Sequence, residues 1–178
     1  MNDAWLDITN LPAEGREFTF SDQGLWTGPW RELGMSGNGP SGSGPMEARL
    51  RITPGEDGWL ITGTLTGTVD MVCDRCTGRA RYGLEHGIEA FVQRPGRGPG
   101  DDEEPRIRVT GSKVELDVGS LLWEELLLAL PVKPLCKADC AGLCPHCGAD
   151  RNQDPCDCAE DKGDPRMAVF RGLKVSGN

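Results

Sequence analysis

The sequence predicts an α+β protein built on an antiparallel β-sheet with a long hairpin, one buried helix and a C-terminal cysteine-rich module. Apolar and polar residues alternate with a period of two across residues 46–92, as in half-buried strands. A leucine-rich run at residues 118–130 is long enough for a helix. Six of the 8 cysteines fall within residues 130–158, in the paired spacing of zinc-binding modules.

Length and composition limit the size of the core. A chain of 178 residues with 37% hydrophobic content, 25 Gly and 13 Pro suits one modest domain with many turns. We therefore expect a β-rich domain over residues 1–130 and a zinc module with a basic tail over residues 131–178. The chain opens on M-N-D-A-W-L-D-I-T-N, which lacks the basic and apolar regions of a signal peptide.

The compartment follows from the same composition. No segment offers the roughly 18 apolar residues of a membrane span. We expect a cytoplasmic protein with no membrane partner. Because thiols stay reduced in the cytoplasm, the 8 cysteines predict metal binding rather than disulfides.

The N-terminal third carries weak signals. Short extended runs at residues 5–8 and 16–20 are candidate strands. Residues 34–45, G-M-S-G-N-G-P-S-G-S-G-P, have the composition of a flexible loop with nothing to bury.

The strongest strand signals surround one hairpin. A strand at residues 46–53 is followed by the turn G-E-D-G, and strands at residues 59–72 and 79–92 then form the long antiparallel hairpin. Its tip is C-D-R-C-T-G, so Cys73 and Cys76 can direct both sulfurs away from the sheet. His86 lies on the apolar row about 33 Å from this tip, which indicates a core or edge histidine rather than a metal ligand.

The second half of the chain completes the fold. Residues 94–105 form an acidic loop, and short strands at residues 106–109 and 113–116 are expected to finish the sheet. Asp117 is a candidate N-cap for a helix over residues 118–130 that Pro131 ends. Its leucines cover most of the helix circumference and predict burial against the sheet. Glu124 and Glu125 are expected on the remaining solvent-facing strip.

The cysteines allow two interpretations. Cys144-Pro145-His146-Cys147-Gly148 is a knuckle turn typical of zinc binding, in which His146 is an exposed filler. In the first interpretation, two zinc ions are bound by two sets: Cys144, Cys147, Cys156 and Cys158 locally, and Cys73, Cys76, Cys136 and Cys140 at long range. In the second, one ion is bound by Cys140, Cys144, Cys147 and one later cysteine. The weakness of the first is the x1 spacing of Cys156 and Cys158, which strains a tetrahedron unless the chain turns sharply.

No catalytic constellation is visible. A four-cysteine site has no open coordination position, so its metal stabilises the fold rather than catalysing a reaction. C-D-R-C lies on a hairpin turn, whereas the thioredoxin-like redox motif opens a helix after a strand. We therefore predict a non-enzymatic protein without a small-molecule substrate.

The charge distribution restricts nucleic-acid contacts to local patches. The net charge is −9, so RNA binding would need a basic element. The tail after residue 161 combines basic residues with helically spaced apolar ones, which suits either a docked amphipathic helix or a contact with RNA or a ribosomal protein. The candidate contact residues are Arg75, Lys162, Arg166, Arg171 and Lys174.

A series of motifs resembles the bacterial YceD family. The motifs are C-D-R-C, then E-E-L-L-L-A-L-P-V-K-P-L-C, then C-A-G-L-C-P-H-C-G-A-D-R-N-Q-D-P-C-D-C, then D-P-R-M-A-V-F-R-G-L-K, across residues 69–174. The resemblance implies a ribosome biogenesis factor that supports accumulation of 23S ribosomal RNA, with ribosomal RNA or a large-subunit assembly protein as partner. The alternatives are a protein adaptor without RNA contact and, less favoured, a metal-dependent nuclease in RNA processing.

Overall fold

The fold comes from a computed structural model that describes residues 4–32, 35, 40, 45–96, 106–154 and 156–158. The predictions for the acidic loop and the basic tail lie outside these residues, apart from the first few positions of the loop. The elements in chain order are β1 (Trp5–Asp7), β2 (Arg16–Phe20), α1 (Gly24–Glu32), β3 (Glu47–Pro54), β4 (Gly58–Val72), β5 (Arg79–Gln93), β6 (Ile107–Thr110), β7 (Lys113–Asp117) and α2 (Val118–Ala129).

The predicted long hairpin is confirmed. Strands β4 and β5 are 15 residues each and pair antiparallel along their whole length, from Gly58 opposite Gln93 to Val72 opposite Arg79. With β2 and β3 they form a four-stranded sheet in the order β2-β3-β4-β5. The inward residues of the period-two pattern are buried, including Leu50, Ile61 and Leu65. Because side chains alternate across a strand, the pattern fixed which face of this sheet became the core.

The last two strands do not finish that sheet, contrary to the prediction. Strands β6 and β7 instead join β1 in a separate three-stranded sheet in the order β1-β7-β6. Leu6 of β1 lies opposite Leu116 of β7, and Leu116 is fully buried in the shared core. A local pattern identifies a strand, but the choice of partner depends on packing between segments far apart in the chain.

Helix α1 was not predicted. Its sequence contains Gly28 and Pro29, both unfavourable inside a helix. The side chain of Asp22 accepts a hydrogen bond from Gly24 N (2.9 Å) at the start of the helix. Trp26 and Trp30, four residues apart and so on one face, are buried, and Trp30 meets Trp123 of α2 edge to face at 6.4 Å. Burial of these rings outweighs the poor helix propensity.

Two residues of the glycine-rich segment at 34–45 also contribute to packing. Met35 packs against the core and Pro40 is buried. The expectation that this segment has nothing to bury was therefore wrong at these two positions.

Helix α2 begins as predicted. Asp117 Oδ1 accepts a hydrogen bond from Ser120 N (3.0 Å), and Leu121, Leu122 and Leu126 are buried. None of the helices among the described residues is long and apolar enough to cross a membrane.

Burial around α2 differs from the prediction on two sides. Leu127 and Leu128 are exposed, Leu128 by 74%, because the helix packs through one face only. Glu125, predicted on the solvent-facing strip, has a side chain only 15% exposed, and its Oε2 lies 2.9 Å from Nε2 of His86 on β5. Glu124 does face solvent and pairs with Arg106. His86, expected to be a core or edge histidine, is half-buried, and its Nε2 faces the carboxylate of Glu125.

Candidate metal centre

The tip of the hairpin presents two cysteines on a tight turn. Cys73 N donates to Gly78 O (2.8 Å), Thr77 N donates to Cys73 O (2.9 Å), and Thr77 adopts the left-handed conformation with φ 57°. Cys73 and Cys76 are both buried. The turn is therefore ordered by its own backbone hydrogen bonds.

The segment after α2 returns to this tip. Asp74 N donates to Pro134 O (2.9 Å). The hydroxyl of Tyr82, on β5, donates to Leu135 O (2.8 Å) and accepts from Leu135 N. These contacts bring Cys136 and Cys140 to Cys73 and Cys76, and we call the four the inner cluster. Sequence reasoning did not identify Tyr82 as the residue that holds this segment.

The sulfur separations in the inner cluster suit a tetrahedral metal ion. Cys73 Sγ and Cys140 Sγ lie 3.8 Å apart, and Cys76 Sγ and Cys136 Sγ lie 3.6 Å apart. Four thiolates at about 2.3 Å from a zinc ion would be separated by about 3.8 Å, whereas a disulfide needs about 2.05 Å. The donor set and its spacing therefore fit zinc.

The remaining four cysteines form a second group, which we call the outer cluster. The ligand atoms of Cys144, Cys147, Cys156 and Cys158 all lie within 4.8 Å of one another. Gly148, with φ 74°, donates its N–H to Cys144 O (2.9 Å) and completes the predicted knuckle turn, while His146 is exposed. The x1 spacing of Cys156 and Cys158 does not prevent the grouping. Cys140 belongs to the inner cluster, so the arrangement follows the two-cluster interpretation and not the single-site one.

In both clusters, neighbouring groups shift the pKa values of the cysteine thiols in opposite directions. Burial raises the pKa of the Cys73 thiol, but the N–H groups of Cys76, Cys136 and Arg75 outweigh it and lower this pKa to about 6. Cys140 in turn raises the pKa of Cys136 to about 12. In the outer cluster, the N–H groups of Cys147 and His146 lower the pKa of Cys144 to about 6, while Cys147 raises the pKa of Cys158 to about 12. Since each thiolate opposes ionisation of the next, a cation bound in either cluster would favour the state in which all four thiols are ionised.

The two clusters differ in exposure. Cys73, Cys76 and Cys140 of the inner cluster are buried, and Ala80, Tyr82 and Leu135 pack around them. Only Cys144 is buried in the outer cluster, where Cys147 and Cys158 are exposed. A metal ion in the inner cluster would thus join the sheet to the C-terminal segment, whereas one in the outer cluster would close a local loop.

The predicted contact residues fall in different places. Arg75 is exposed, but its Nη1 donates to Cys140 O (2.9 Å) and its carbonyl accepts from Leu143 N (2.9 Å). Arg75 therefore ties the hairpin tip to the segment between the clusters. Lys162, Arg166, Arg171 and Lys174 lie outside the described residues.

Replacing Tyr82 by phenylalanine is expected to lower the free energy of unfolding by about 2 kcal/mol, because the N–H and C=O of Leu135 would lose their hydrogen-bond partner. Urea denaturation of zinc-loaded protein would measure the change. Thr64 is exposed on the opposite face of the hairpin, so Thr64→Ala serves as the control. Its free energy of unfolding should lie within about 0.5 kcal/mol of the wild type. Equal stabilities for Tyr82→Phe and the wild type would show that this hydroxyl does not hold the segment.

The fold and the site together define a class of protein: an α+β domain with two four-cysteine clusters, each of which could hold a metal ion. A family model described as "Large ribosomal RNA subunit accumulation protein YceD" matches residues 61–174, well over half of the chain. The chain therefore belongs to the YceD family, as its motifs predicted. The matched region contains all 8 cysteines.

Several mycobacterial proteins are similar to this chain. Uncharacterized proteins of Mycobacterium tuberculosis (strain ATCC 25618 / H37Rv) and Mycobacterium bovis are each 27% identical over 125 residues, covering 69% of this chain and 59% of theirs. An uncharacterized protein of Mycobacterium leprae is 24% identical over 115 residues, covering 62% and 51%. The chain thus spans less than two thirds of the length of these relatives. No solved structure matches it.

Proposed function

We propose that this protein is a non-enzymatic ribosome biogenesis factor that supports the accumulation of 23S ribosomal RNA, with zinc as a structural cofactor in both clusters. Membership of the YceD family carries the proposal, since the family description names accumulation of the large-subunit ribosomal RNA. Because the thiols must stay reduced to bind zinc, the proposed compartment is the cytoplasm.

Zinc in the clusters would stabilise the fold of the factor. The inner set of ligands would be Cys73, Cys76, Cys136 and Cys140, and the outer set Cys144, Cys147, Cys156 and Cys158. When bound, a zinc ion offsets two of the four thiolate charges and fixes the segments that carry the thiolates. In the proposed division into a β-rich domain at 1–130 and a zinc module at 131–178, the inner cluster would join the two parts, because its ligands come from both sides of residue 130.

The proposed partner is ribosomal RNA or an early large-subunit assembly protein. Lys162, Arg166, Arg171 and Lys174 give the tail a local excess of positive charge, which is the type of element that contacts phosphates. Arg75 is a weaker candidate for such a contact, since its guanidinium already binds the carbonyl of Cys140.

A protein adaptor without RNA contact is the second candidate, and the overall charge favours it. Four thiolates (−4) and one zinc ion (+2) add −2, so two loaded clusters would take the net charge from −9 to −13. A surface this acidic repels RNA except where basic residues cluster.

Reversing the charge of Arg166, Arg171 and Lys174 to Glu is expected to abolish complementation in a deletion strain, because the tail would then repel phosphate. The measurement is the ratio of 23S to 16S ribosomal RNA, which should fall in the deletion strain and recover with the wild type but not with the reversed tail. Reversal of the exposed Arg31 and Lys133 to Glu is the control and should restore the ratio.

Three results would contradict parts of this proposal. A normal ratio in the deletion strain would remove the function itself. Recovery with the reversed tail would favour the adaptor. Background-level crosslinking of tagged protein to RNA in cells would also favour the adaptor, whereas direct contact would concentrate reads at a few 23S positions.

A further inference from the structure

Only three residues separate the two clusters along the chain. Cys140 belongs to the inner cluster and Cys144 to the outer one, so residues 141–143 form a linker. Each linker residue has a backbone hydrogen bond to a flanking element: Ala141 N donates to Asn152 Oδ1 (2.9 Å), Gly142 O accepts from Arg151 N (3.0 Å), and Leu143 N donates to Arg75 O (2.9 Å). The linker is thus fixed on one side by the hairpin tip and on the other by the loop that the outer cluster closes.

Gly142 shows how closely the linker approaches the tip. Its φ is 73°, and a Cβ at this position would lie 3.1 Å from Arg75 O. A side chain here would therefore be strained and would press on the turn that carries Cys73 and Cys76. The close approach leaves little room for the two clusters to move independently.

Asn152 reaches from the outer loop to a sulfur of the inner cluster. Its Nδ2 donates to Cys140 Sγ (3.4 Å) and to Asp150 Oδ1 (2.6 Å). The amide orientation is fixed, because Oδ1 accepts from Ala141 N. Asn152 is half-buried, and its backbone N–H also donates to Asp150 Oδ1 (3.0 Å). A donor held in this way stabilises the negative charge of a metal-bound thiolate.

Asn152 belongs to the loop whose ends meet at the outer cluster. It lies between Cys147 and Cys156, so a metal ion in that cluster closes the loop that carries it. We propose that Asn152 is a positioning residue that couples the two metal sites, so that zinc in the outer cluster tightens binding of zinc in the inner cluster. By thermodynamic linkage, zinc in the inner cluster tightens the outer site by the same factor. The inference rests on the zinc occupancy in the proposed function.

The coupling can be measured by competition with a zinc chelator, while native mass spectrometry counts the ions on the full-length chain. Cys147→Ser/Cys158→Ser removes two exposed outer ligands and leaves the inner cluster complete. We expect this variant to bind its one remaining zinc about 10-fold more weakly than the wild type binds its inner zinc. This is the lower end of the loss in metal affinity that follows removal of contacts to metal ligands. Asn152→Ala should weaken the inner site by a similar factor. Combining the three substitutions should add less than about 2-fold further.

Two variants isolate the hydrogen bond to sulfur. Asn152→Asp keeps an acceptor for Ala141 N but loses the donor to Cys140, so it should weaken the inner site at least as much as Asn152→Ala. Gln153→Ala is the matched control, since Gln153 lies in the same loop and donates to Asp150 Oδ2 (3.0 Å). It should leave inner-site affinity within about 2-fold of the wild type.

The outcomes separate this inference from the proposed function. Unchanged inner-site affinity after loss of the outer ligands, equal affinities for Asn152→Ala and Gln153→Ala, or a wild type that binds no zinc would each overturn the coupling. These affinities are measured on purified protein. A normal 23S ratio in the deletion strain would therefore remove the proposed function and leave the coupling intact, and loss of coupling would leave the ribosomal RNA result unaffected.

Discussion

Cys73→Ser is expected to release residues 131–140 from the hairpin tip and to lower the free energy of unfolding by about 4 kcal/mol, the contribution of a ligand present at about 1,000 times its Kd. Cys73 is fully buried, and its sulfur lies 3.8 Å from that of Cys140. Without it the inner cluster has three thiols and no closed tetrahedron. Denaturant unfolding of zinc-loaded protein gives the energy, and hydrogen exchange of the amides at positions 73–80 and 131–140 gives the location.

Chelation and the outer cluster provide the controls for this result. With a strong chelator present, wild type and Cys73→Ser should unfold at nearly the same denaturant concentration, because both then lack the metal. Cys147→Ser, in the exposed outer cluster, should leave protection of β4 and β5 near the tip much less changed. A Cys73→Ser protein as stable as the zinc-loaded wild type would mean that the inner cluster does not hold the C-terminal segment.

Trp26→Ala is expected to destabilise the protein by about 3–5 kcal/mol, the usual cost of removing a buried tryptophan side chain. Trp26 is fully buried. Helix α1 contains Gly28 and Pro29 and is held by its two tryptophans, so loss of one should also unwind it. Urea denaturation and far-ultraviolet circular dichroism would measure both effects.

Trp26→Phe and the metal content distinguish loss of core packing from loss of metal binding. Trp26→Phe keeps an aromatic ring in the core and should cost less than the alanine variant. Both variants should retain the wild-type number of zinc ions, because α1 contributes no ligand to either cluster. A loss below about 1 kcal/mol for Trp26→Ala would show that α1 does not depend on this burial.

The sequence predicted the parts of the fold that depend on local periodicity. The alternation across residues 46–92 predicted three strands and their buried faces, and Asp117 was correctly identified as the cap of α2. The family motifs were equally local, and the family match confirms them. Each of these signals lies in neighbouring residues of the chain.

Several features could not be predicted because they depend on distant contacts. Helix α1 forms despite its poor helix propensity. Burial of Trp26 and Trp30 contributes more free energy than Pro29 costs inside the helix. Glu125 turns inward because His86 faces it from another element. Prediction from the local sequence pattern therefore fails first where a polar or helix-breaking residue packs against a distant part of the chain.

The cysteine spacing by itself determined that thiols would meet in pairs, because a short turn delivers two sulfurs to one point. Which pairs share a cluster was left open between two arrangements, and the tertiary structure decided it. The hydrogen bonds of Pro134 and Leu135 with Asp74 and Tyr82 bring Cys136 and Cys140 to the hairpin tip. Asn152 then reaches Cys140 from the outer loop. The physical reason is that a cluster is closed by backbone and side-chain contacts between segments about 60 residues apart, which no local spacing encodes.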